Sequence, residues 1–586
     1  MSTTITIAAP MSAQLLELRV APGQPVRAGA PLLLLEAMKM EHELAAPADA
    51  RVEEVLCTAG ELVHEGQILL CLRREAGPAA AAPPPEVVVP APAGAALRAL
   101  RERQALTLDA ARPEAVARRH ALGLRTAREN MAALVDPGSF REYGALAYAA
   151  QRARRPLEEL RAQTPADGIV TGLAEIEGRP VALLAYDATV LAGTQGLRNH
   201  QKTDRLLELA LQRCLPVVLL AEGGGGRPGD TDMPVVAGLQ VPTFMSFARL
   251  AGQVPLIGIV TGRCFAGNAA LLGCCDLIIA TRDANIGLAG PAMIEGGGLG
   301  VFAPEQIGPA PQQAAVGGVD LLVADEAEAC AAARRLLGCL LGTRGDWRAA
   351  DQAPLREAIP EQRARAYAVR PLIETLMDEG SVLELGADTG ASVLCGLARI
   401  EGRPLAYAAS NCQVLGGALD AAAMRKLARH MRLCEAQDLP LLALIDTPGF
   451  MVGPQAEAQG QVRLAGELFR AAARLRRPVL SVVLRRAYGL GAMALAGGSL
   501  HAPLASLAWP GAEFGAMGLE GAVRLGYRKE LAAQPEGAPR QALFERLLAQ
   551  QIEAGRAIPA AEALEIDAVI DPAETRAWLA QALRLP

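Results

Sequence analysis

The stretch "TGLAEIEGRPVALLAYDATVLAG", residues 171–193, returns as "CGLARIEGRPLAYAASNCQVLGG", residues 395–417, at a constant offset of 224. The repetition runs on in both directions. "LPVVLLAEGGGG" (215–226) falls on "LPLLALIDTPGF" (439–450) at the same offset. One residue is then lost, and "VPLIGIVTGRCFAGNAALL" (254–272) falls on "RPVLSVVLRRAYGLGAMAL" (477–495) at 223. Upstream, "LVDPGSFREYG" (134–144) echoes "LMDEGSVLELG" (376–386). Each copy alternates helical segments with apolar strands, so the large block is expected to be a duplicated α/β domain, about 97–345 and 350–586.

A chain of 586 residues is too long for one core, and three or four domains are expected. The apolar fraction is 51% and the mean hydropathy +0.21, yet no apolar run reaches the ~18 residues that would suggest a membrane span. Abundant Ala and Gly with 3% aromatics account for the hydropathy. The start, "MSTTITIAAP", has no basic n-region and no apolar h-region, so no export signal is expected. A net charge of −6 with both signs interspersed argues against a nucleic-acid platform. Eleven scattered cysteines without a C-x-x-C suit a reducing cytoplasm and no zinc ribbon.

Ahead of the duplication lies a compact block, residues 1–74, followed by a Pro/Ala-rich linker over 75–96 that includes "GPAAAAPPPEVVVPAPAGAA". If polyproline-like, that tract would span roughly 60 Å. The first block also repeats: "APGQPVRAGAPLLLL" (21–35) aligns without gaps on "TAGELVHEGQILLCL" (58–72) at an offset of 37. Two turn–strand–turn–strand units predict a small flattened all-β barrel with pseudo-twofold symmetry. "LLLLEAMKMEHE" (32–43) follows the strand of the first copy, which puts Lys39 at an exposed tip between Met38 and Met40. Such a turn is either a plain surface turn or a site of lysine acylation.

In the large block, an apolar strand of each copy ends in a glycine-rich loop, "AEGGGGRPGDTD" (221–232) or "DTPGFMVGPQAE" (446–457). A second strand ends in a small-residue turn opening a helix, "FAGNAALLGCCDLI" (265–278) or "YGLGAMALAGG" (488–498). Small residues admit close backbone approach, and the first amides of a helix point outward. Two such turns are candidates for an oxyanion hole, each donor being worth about 2.7–4 kcal/mol to a developing enolate. Glycine turns are also ordinary furniture of α/β proteins. "AEGGGGRPGD" lacks the Lys-Ser/Thr ending of a P-loop.

Residues 1–74 resemble the biotinyl (biotin carboxyl carrier) domain: Ala37-Met38-Lys39-Met40 match its signature turn, with "AAP" before Met11 and "AAPADA" at 45–50. Ser12-Ala13 and Ala50 depart from the usual residues. Lipoyl domains share the fold, but the methionine before Lys39 favours biotin. Residues 97–586 resemble the carboxyltransferase of biotin-dependent acyl-CoA carboxylases through "DPGSF", the two "IEGRP" stretches, "GRCFAGNAAL", "DTPGF" and "RRAYGLGAM". The order of parts is similar to single-chain long-chain acyl-CoA carboxylases without their biotin carboxylase.

The resemblance implies two tandem crotonase-like α/β domains behind the biotinyl barrel. It implies biotin on Lys39, with Met38 and Met40 beside it, and transfer of a carboxyl group from carboxybiotin to the α-carbon of an acyl-CoA. Paired backbone donors would be Asn268-Ala269 in one copy and Gly491-Ala492 in the other, with no side-chain base. None of the six histidines is a candidate. Gly223, Gly224, Gly225, Gly226 and Arg227 would line the acyl-CoA site, Arg227 being either a partner of a CoA phosphate or a surface arginine. Asn268 stands where related enzymes have glycine, only its backbone being required. Ala494 falls near a position that tunes acyl chain length. Cys274-Cys275 would lie in a helix. The implied partners are a separate biotin carboxylase, a biotin protein ligase and further copies of the chain, a trimer of dimers. No metal, nucleic acid or membrane is expected. Alternatives are the reverse reaction (decarboxylase or transcarboxylase) and a carrier or scaffold with an inactive transferase half.

Overall fold

The computed structural model describes residues 4–75, 94–227, 229–232 and 238–585. Most of the Pro/Ala tract lies outside the described residues. The chain divides into two compact units, Met1–Ala93 and Gly94–Pro586.

The first unit has eight strands: β1 (Thr4–Ala8), β2 (Ala13–Leu18), β3 (Pro25–Val26), β4 (Pro31–Ala37), β5 (Met40–Ala45), β6 (Ala50–Val55), β7 (Leu62–Val63) and β8 (Ile68–Arg74). They form two four-stranded sheets, β1-β8-β6-β3 and β5-β4-β2-β7. The sequence offset of 37 carries β2 onto β6, β3 onto β7 and β4 onto β8, so the repeat is the symmetry of the barrel. Leu15, Leu32, Leu33 and Leu35 from one half pack with Val52, Leu69, Leu70 and Leu72 from the other in one core.

Strands β4 and β5 pair with Ala37 opposite Met40, leaving a two-residue turn of Met38 (φ 53°) and Lys39 (φ 66°). Positive φ at both central residues is the signature of a type I′ hairpin, which normally takes Asn-Gly. Side chains with a Cβ there cost roughly 1–2 kcal/mol each. Lys39 is exposed and Met38 is 97% exposed, so no packing compensates that strain. At the other end of the hairpin, Ala45 pairs with Pro31 and the Glu75 amide bonds to Asp49 O. The chain therefore leaves the barrel about one seven-residue strand, roughly 20 Å, from Lys39.

The second unit holds two sheets of one plan. In the first half β9 (Arg141–Tyr143), β10 (Ile169–Ile176), β11 (Arg179–Tyr186), β12 (Val217–Leu220), β13 (Leu256–Val260), β15 (Leu277–Thr281) and β17 (Leu321–Val323) lie in the order β17-β15-β13-β12-β11-β10-β9, and β14 (Arg263–Phe265) pairs with β16 (Asn285–Gly287). In the second half β18 (Leu383–Leu385), β19 (Val393–Ile400), β20 (Arg403–Ser410), β21 (Leu441–Thr447), β22 (Val479–Tyr488), β23 (Ala505–Ala508) and β25 (Ala568–Val569) repeat that order, with β24 (Glu513–Gly515) on the end of β22. The strands from β11 to β17 and from β20 to β25 run parallel, and their residues are apolar on both faces, as a doubly covered sheet requires.

A buried lysine ties one covering helix to its sheet in each half. In the helix Leu197–Arg213, Lys202 Nζ donates to Ala166 O (2.8 Å) and Ile169 O (2.5 Å). In the helix Ala421–Ala436, Lys426 Nζ donates to Thr389 O (3.1 Å) and Val393 O (2.9 Å). Burial pushes the Lys202 ammonium down to about 8. Cys274 and Cys275 lie in the turn beyond the helix Gly267–Leu272, not within it, because that helix stops at Gly273.

Replacing Met38 by Asn, which tolerates the left-handed conformation, is expected to stabilise the first unit by about 1 kcal/mol. Amide exchange across β4 and β5 in the full chain is the measurement, and slower exchange is the expected result.

Candidate active site

In each half a parallel strand runs into a glycine loop beside the start of a short helix. In the first half β12 leads through Ala221 and Glu222 to Gly223–Gly226. Gly223 N donates to Arg263 O (2.8 Å) and Phe265 N to Gly223 O (2.9 Å), so the loop extends the sheet next to β14. Ala266 then turns the chain (φ 51°, ψ −122°) into the helix Gly267–Leu272. A third segment, the turn Leu191–Gly193, closes the group. A Cβ added at Gly223 would lie 2.1 Å from Gly193 O, and one at Gly225 2.5 Å from the Ala266 Cβ. The first contact is with a backbone carbonyl and the second with the Ala266 methyl, and both leave room only for glycine.

Asn268, the second residue of that helix, is fully buried. Its Oδ1 accepts from Gly225 N (2.9 Å), and its Nδ2 donates to Gly193 O (3.2 Å) and Glu222 O (3.2 Å). One carboxamide thus holds all three segments. The expectation that only the backbone of Asn268 matters is corrected here, since the side chain fills a slot that a glycine would leave unbonded.

In the second half β21 ends at Thr447, followed by Pro448-Gly449-Phe450, and β22 feeds the helix Gly489–Leu495. Thr447 Oγ1 donates to Gly417 O (2.7 Å) and accepts from Gly449 N (3.1 Å). A Cβ at Gly491 would stand 2.7 Å from Gly449 Cα and 2.9 Å from Phe450 N. Both helix starts lie against their glycine loops.

The first amides of a helix have no partner within it. Among the described residues, no acceptor bonds the amides of Asn268, Ala269 or Gly491. Ala492 is the fourth residue of its helix, where the intrahelical partner is the Tyr488 carbonyl, so the two pairs are not identical in geometry.

The acid that ends each strand is neutralised by arginine, from a different place in each half. Glu222 takes a bidentate pair from Arg119 (2.6 and 2.7 Å), on the helix Pro113–Ala121. Burial pushes the Glu222 carboxyl up, and the guanidinium offsets it. Asp446, fully buried, is held by Arg485 (2.9 and 3.1 Å) and Arg486 (2.7 Å) from β22. Gly262 occupies the place of Arg485, and a Cβ there would meet Glu222 Oε1 at 2.2 Å. Arg119, Glu222, Thr447, Asp446 and Arg485 were not singled out in the sequence, although Glu222 and Asp446 share the offset of 224.

Two expected site residues are buried. Arg227 is not a surface arginine: its side chain is 6% exposed, with Nη2 on Asp167 (2.6 Å) and Nε near Asp230 (3.2 Å). Its guanidinium thus faces two carboxylates inside the fold. Ala494 is fully buried in the apolar core with Ala492 and Leu495, three residues on from Gly491 and turned to the same inner face. Leu490 and Met493 are the exposed side chains of that helix.

The carboxyl transferase domain model matches residues 118–586, and the biotin-requiring enzyme model matches 5–72. The chain belongs to the carboxyl transferase family. It is 33% identical to the methylmalonyl-CoA carboxyltransferase 12S subunit of Propionibacterium freudenreichii subsp. shermanii, over 80% of this chain and 90% of that one. It is 31% identical to the long chain acyl-coenzyme A carboxylase beta4 subunit of Mycobacterium tuberculosis, over 83% and 94%. The solved structure of a single-chain, multi-domain long-chain acyl-CoA carboxylase superposes with a TM-score of 0.81 at 50% identity, covering 99% of this chain but 56% of that one. The transcarboxylase 12S structure, a hexamer, gives 0.74 at 30%, covering 83% and 94%. This carboxyltransferase therefore carries its biotinyl domain in the same chain, and its two α/β halves have the crotonase-like fold. Lys39 suits covalent biotin, since its amine stands at an exposed tip and forms no ion pair among the described residues.

Arg119→Leu leaves Glu222 buried and unpaired, and is expected to cost about 3–5 kcal/mol in chemical denaturation. Adding Glu222→Leu should recover most of that loss.

Proposed function

We propose that the chain is the carrier and carboxyltransferase of an acyl-CoA carboxylase, with its α/β halves divided near residues 345–350. The observation that carries this is the pair of matched turns, each bringing helix-start amides against a glycine loop at the end of a parallel strand, in a chain that also holds a biotinyl hairpin. Biotin, amide-linked to Lys39, supplies the activated carboxyl group and a ring nitrogen able to take the α-proton. The Asn268 and Ala269 amides form one oxyanion pair, and the Gly491 and Ala492 amides the other, in which Gly491 is the unbonded donor and Ala492 shares its hydrogen with the Tyr488 carbonyl. One pair holds the thioester oxygen as negative charge builds on it, and the other holds the ureido oxygen. Preorganised amides in a dry site favour that charge without reorganising at the moment of reaction. No side-chain base is needed.

The glycines at 223–226 let the acyl-CoA approach the backbone closely. A separate biotin carboxylase supplies the carboxyl group, a biotin ligase modifies Lys39, and the cytoplasm suits eleven cysteines that are all free thiols. The chain works as a homohexamer. Exposed Leu288, Met293, Leu299 and Val301 in one stretch of the first half, and Val452, Val462 and Leu490 in the second, are surfaces of the kind that subunit contacts cover. Light scattering in solution should give six times the 61.1 kDa chain mass. Similarity to the transcarboxylase subunit favours one second reading, the same transfer run from a carboxylated acyl-CoA donor.

The test is the reverse half-reaction: purified protein, free biocytin, and a panel of malonyl-, methylmalonyl- and long alkylmalonyl-CoA esters, following loss of the carboxyl group. Turnover of one ester is expected, and it names the substrate. It should persist in Lys39→Ala, because biocytin replaces the carrier. It should fall at least about 100-fold in Gly491→Ala, whose methyl drives Gly449 off the turn. A biotinylated wild-type protein that decarboxylates none of the esters sinks the reading.

A further inference from the structure

The two halves hold their glycine loops by the same bonds made from opposite sides. In the first half the loop amide Gly225 N and the turn carbonyl Gly193 O both bond to the Asn268 carboxamide, which comes from the helix. Their counterparts at the offset of 224, Gly449 N and Gly417 O, both bond to the Thr447 hydroxyl, which comes from the loop. The counterpart of Thr447 is Gly223, and the counterpart of Asn268 is Gly491. The polar side chain and the glycine have changed places.

Sterics make that exchange reciprocal. A Cβ at Gly223 would stand 2.9 Å from Asn268 Nδ2, so the first half has no room for a loop side chain beside Asn268. A Cβ at Gly491 would stand 2.7 Å from Gly449 Cα and C, so the second half has no room for a helix side chain beside Thr447. There is one polar slot per half, and two ways to fill it. In both halves the slot is filled, and the same loop amide and turn carbonyl are bonded.

We infer that Asn268 and Thr447 are equivalent positioning residues, each fixing its glycine loop and turn relative to the oxyanion amides of its own half. Asn268 does so directly, because its own backbone amide is one of the donors. Thr447 acts through Gly449, against which Gly491 packs. The inference rests on the oxyanion reading above.

The discriminating variants are near-isosteric. Thr447→Val removes the hydroxyl at constant shape, and Thr447→Ser keeps it. Asn268→Asp keeps the acceptor for Gly225 N but sets a carboxylate oxygen against Gly193 O and Glu222 O. In the biocytin-dependent decarboxylation, Thr447→Val and Asn268→Asp should each lower kcat about 10- to 100-fold, the scale of a sub-ångström to 1 Å misplacement. KM for the ester and for biocytin should stay within about threefold, and Thr447→Ser should recover kcat to within about threefold of wild type. Wild-type kcat in Thr447→Val, or a raised KM at unchanged kcat, overturns the inference. If the wild-type protein decarboxylates nothing, the oxyanion reading falls, and amide exchange at Gly225 and Gly449 then decides on the staple. Exchange about 10-fold faster in the variants upholds it, and unchanged exchange overturns it.

Discussion

Three stretches of backbone meet in direct contact at the carboxyl end of each parallel sheet, and the local structure of the large unit depends on holding them there. Parallel strands of this kind are buried on both faces, so polar chemistry collects where they end. The loop after β12, the turn at 191–193 and the start of the helix Gly267–Leu272 approach so closely that a methyl group at Gly223 would overlap a carbonyl oxygen. Such proximity leaves buried amides and carbonyls facing one another without the regular ladder of a sheet. An unbonded buried polar group costs about 1–3 kcal/mol, so the junction needs a side chain that bonds across it. Asn268 and Thr447 are the two solutions, and each sits where its half has space.

The acids at the strand ends obey the same logic one step further back. Glu222 and Asp446 occupy equivalent places, and neither is tolerable in the interior without a cation. In the second half the cations lie on the adjacent strand, at Arg485 and Arg486. In the first half that position is Gly262, the longer glutamate side chain occupies the vacated space, and the cation arrives from the helix Pro113–Ala121 as Arg119. The segment before the first sheet is thereby joined to the loop that carries Gly223. Removing it would leave a buried carboxylate at the centre of the site.

The duplication and the barrel were legible because both are periodic. An offset of 37 carries β2–β4 onto β6–β8, and one of 224 carries β10, β11 and β12 onto β19, β20 and β21 before it falls to 223 at β13 and β22. The hairpin at Lys39 was legible because a short motif between strands can only be a turn. What pattern did not reveal was long-range pairing. Arg119 and Glu222 are 103 residues apart, and nothing in either neighbourhood marks them as partners. Arg227 looked exposed because it stands in a polar, glycine-rich loop, whereas Asp167 and Asp230 draw it inside. Ala494 was placed by its distance along a motif, but helical phase turns it into the core. Asn268 looked like a departure without consequence until the glycine opposite it was seen in space.

Compared as a pair, the halves share one set of features and vary another. The backbone amides, the glycine at the loop, the buried acid and the bonded turn carbonyl occur in both. The residues that secure them differ at nearly every position: Asn or Thr in the slot, Arg119 or Arg485 on the acid. The partners in each slot are backbone groups that no substitution removes, so an apolar residue there would leave a buried amide and carbonyl unbonded, at about 1–3 kcal/mol each. Two different polar side chains thus meet one backbone requirement, and each fixes where its glycine loop stands against the start of its helix. The carrier hairpin follows the same rule. Met38 and Lys39 hold a strained turn where Asn-Gly would relax it, so that hairpin too is shaped by what it must present and not by what would make it most stable.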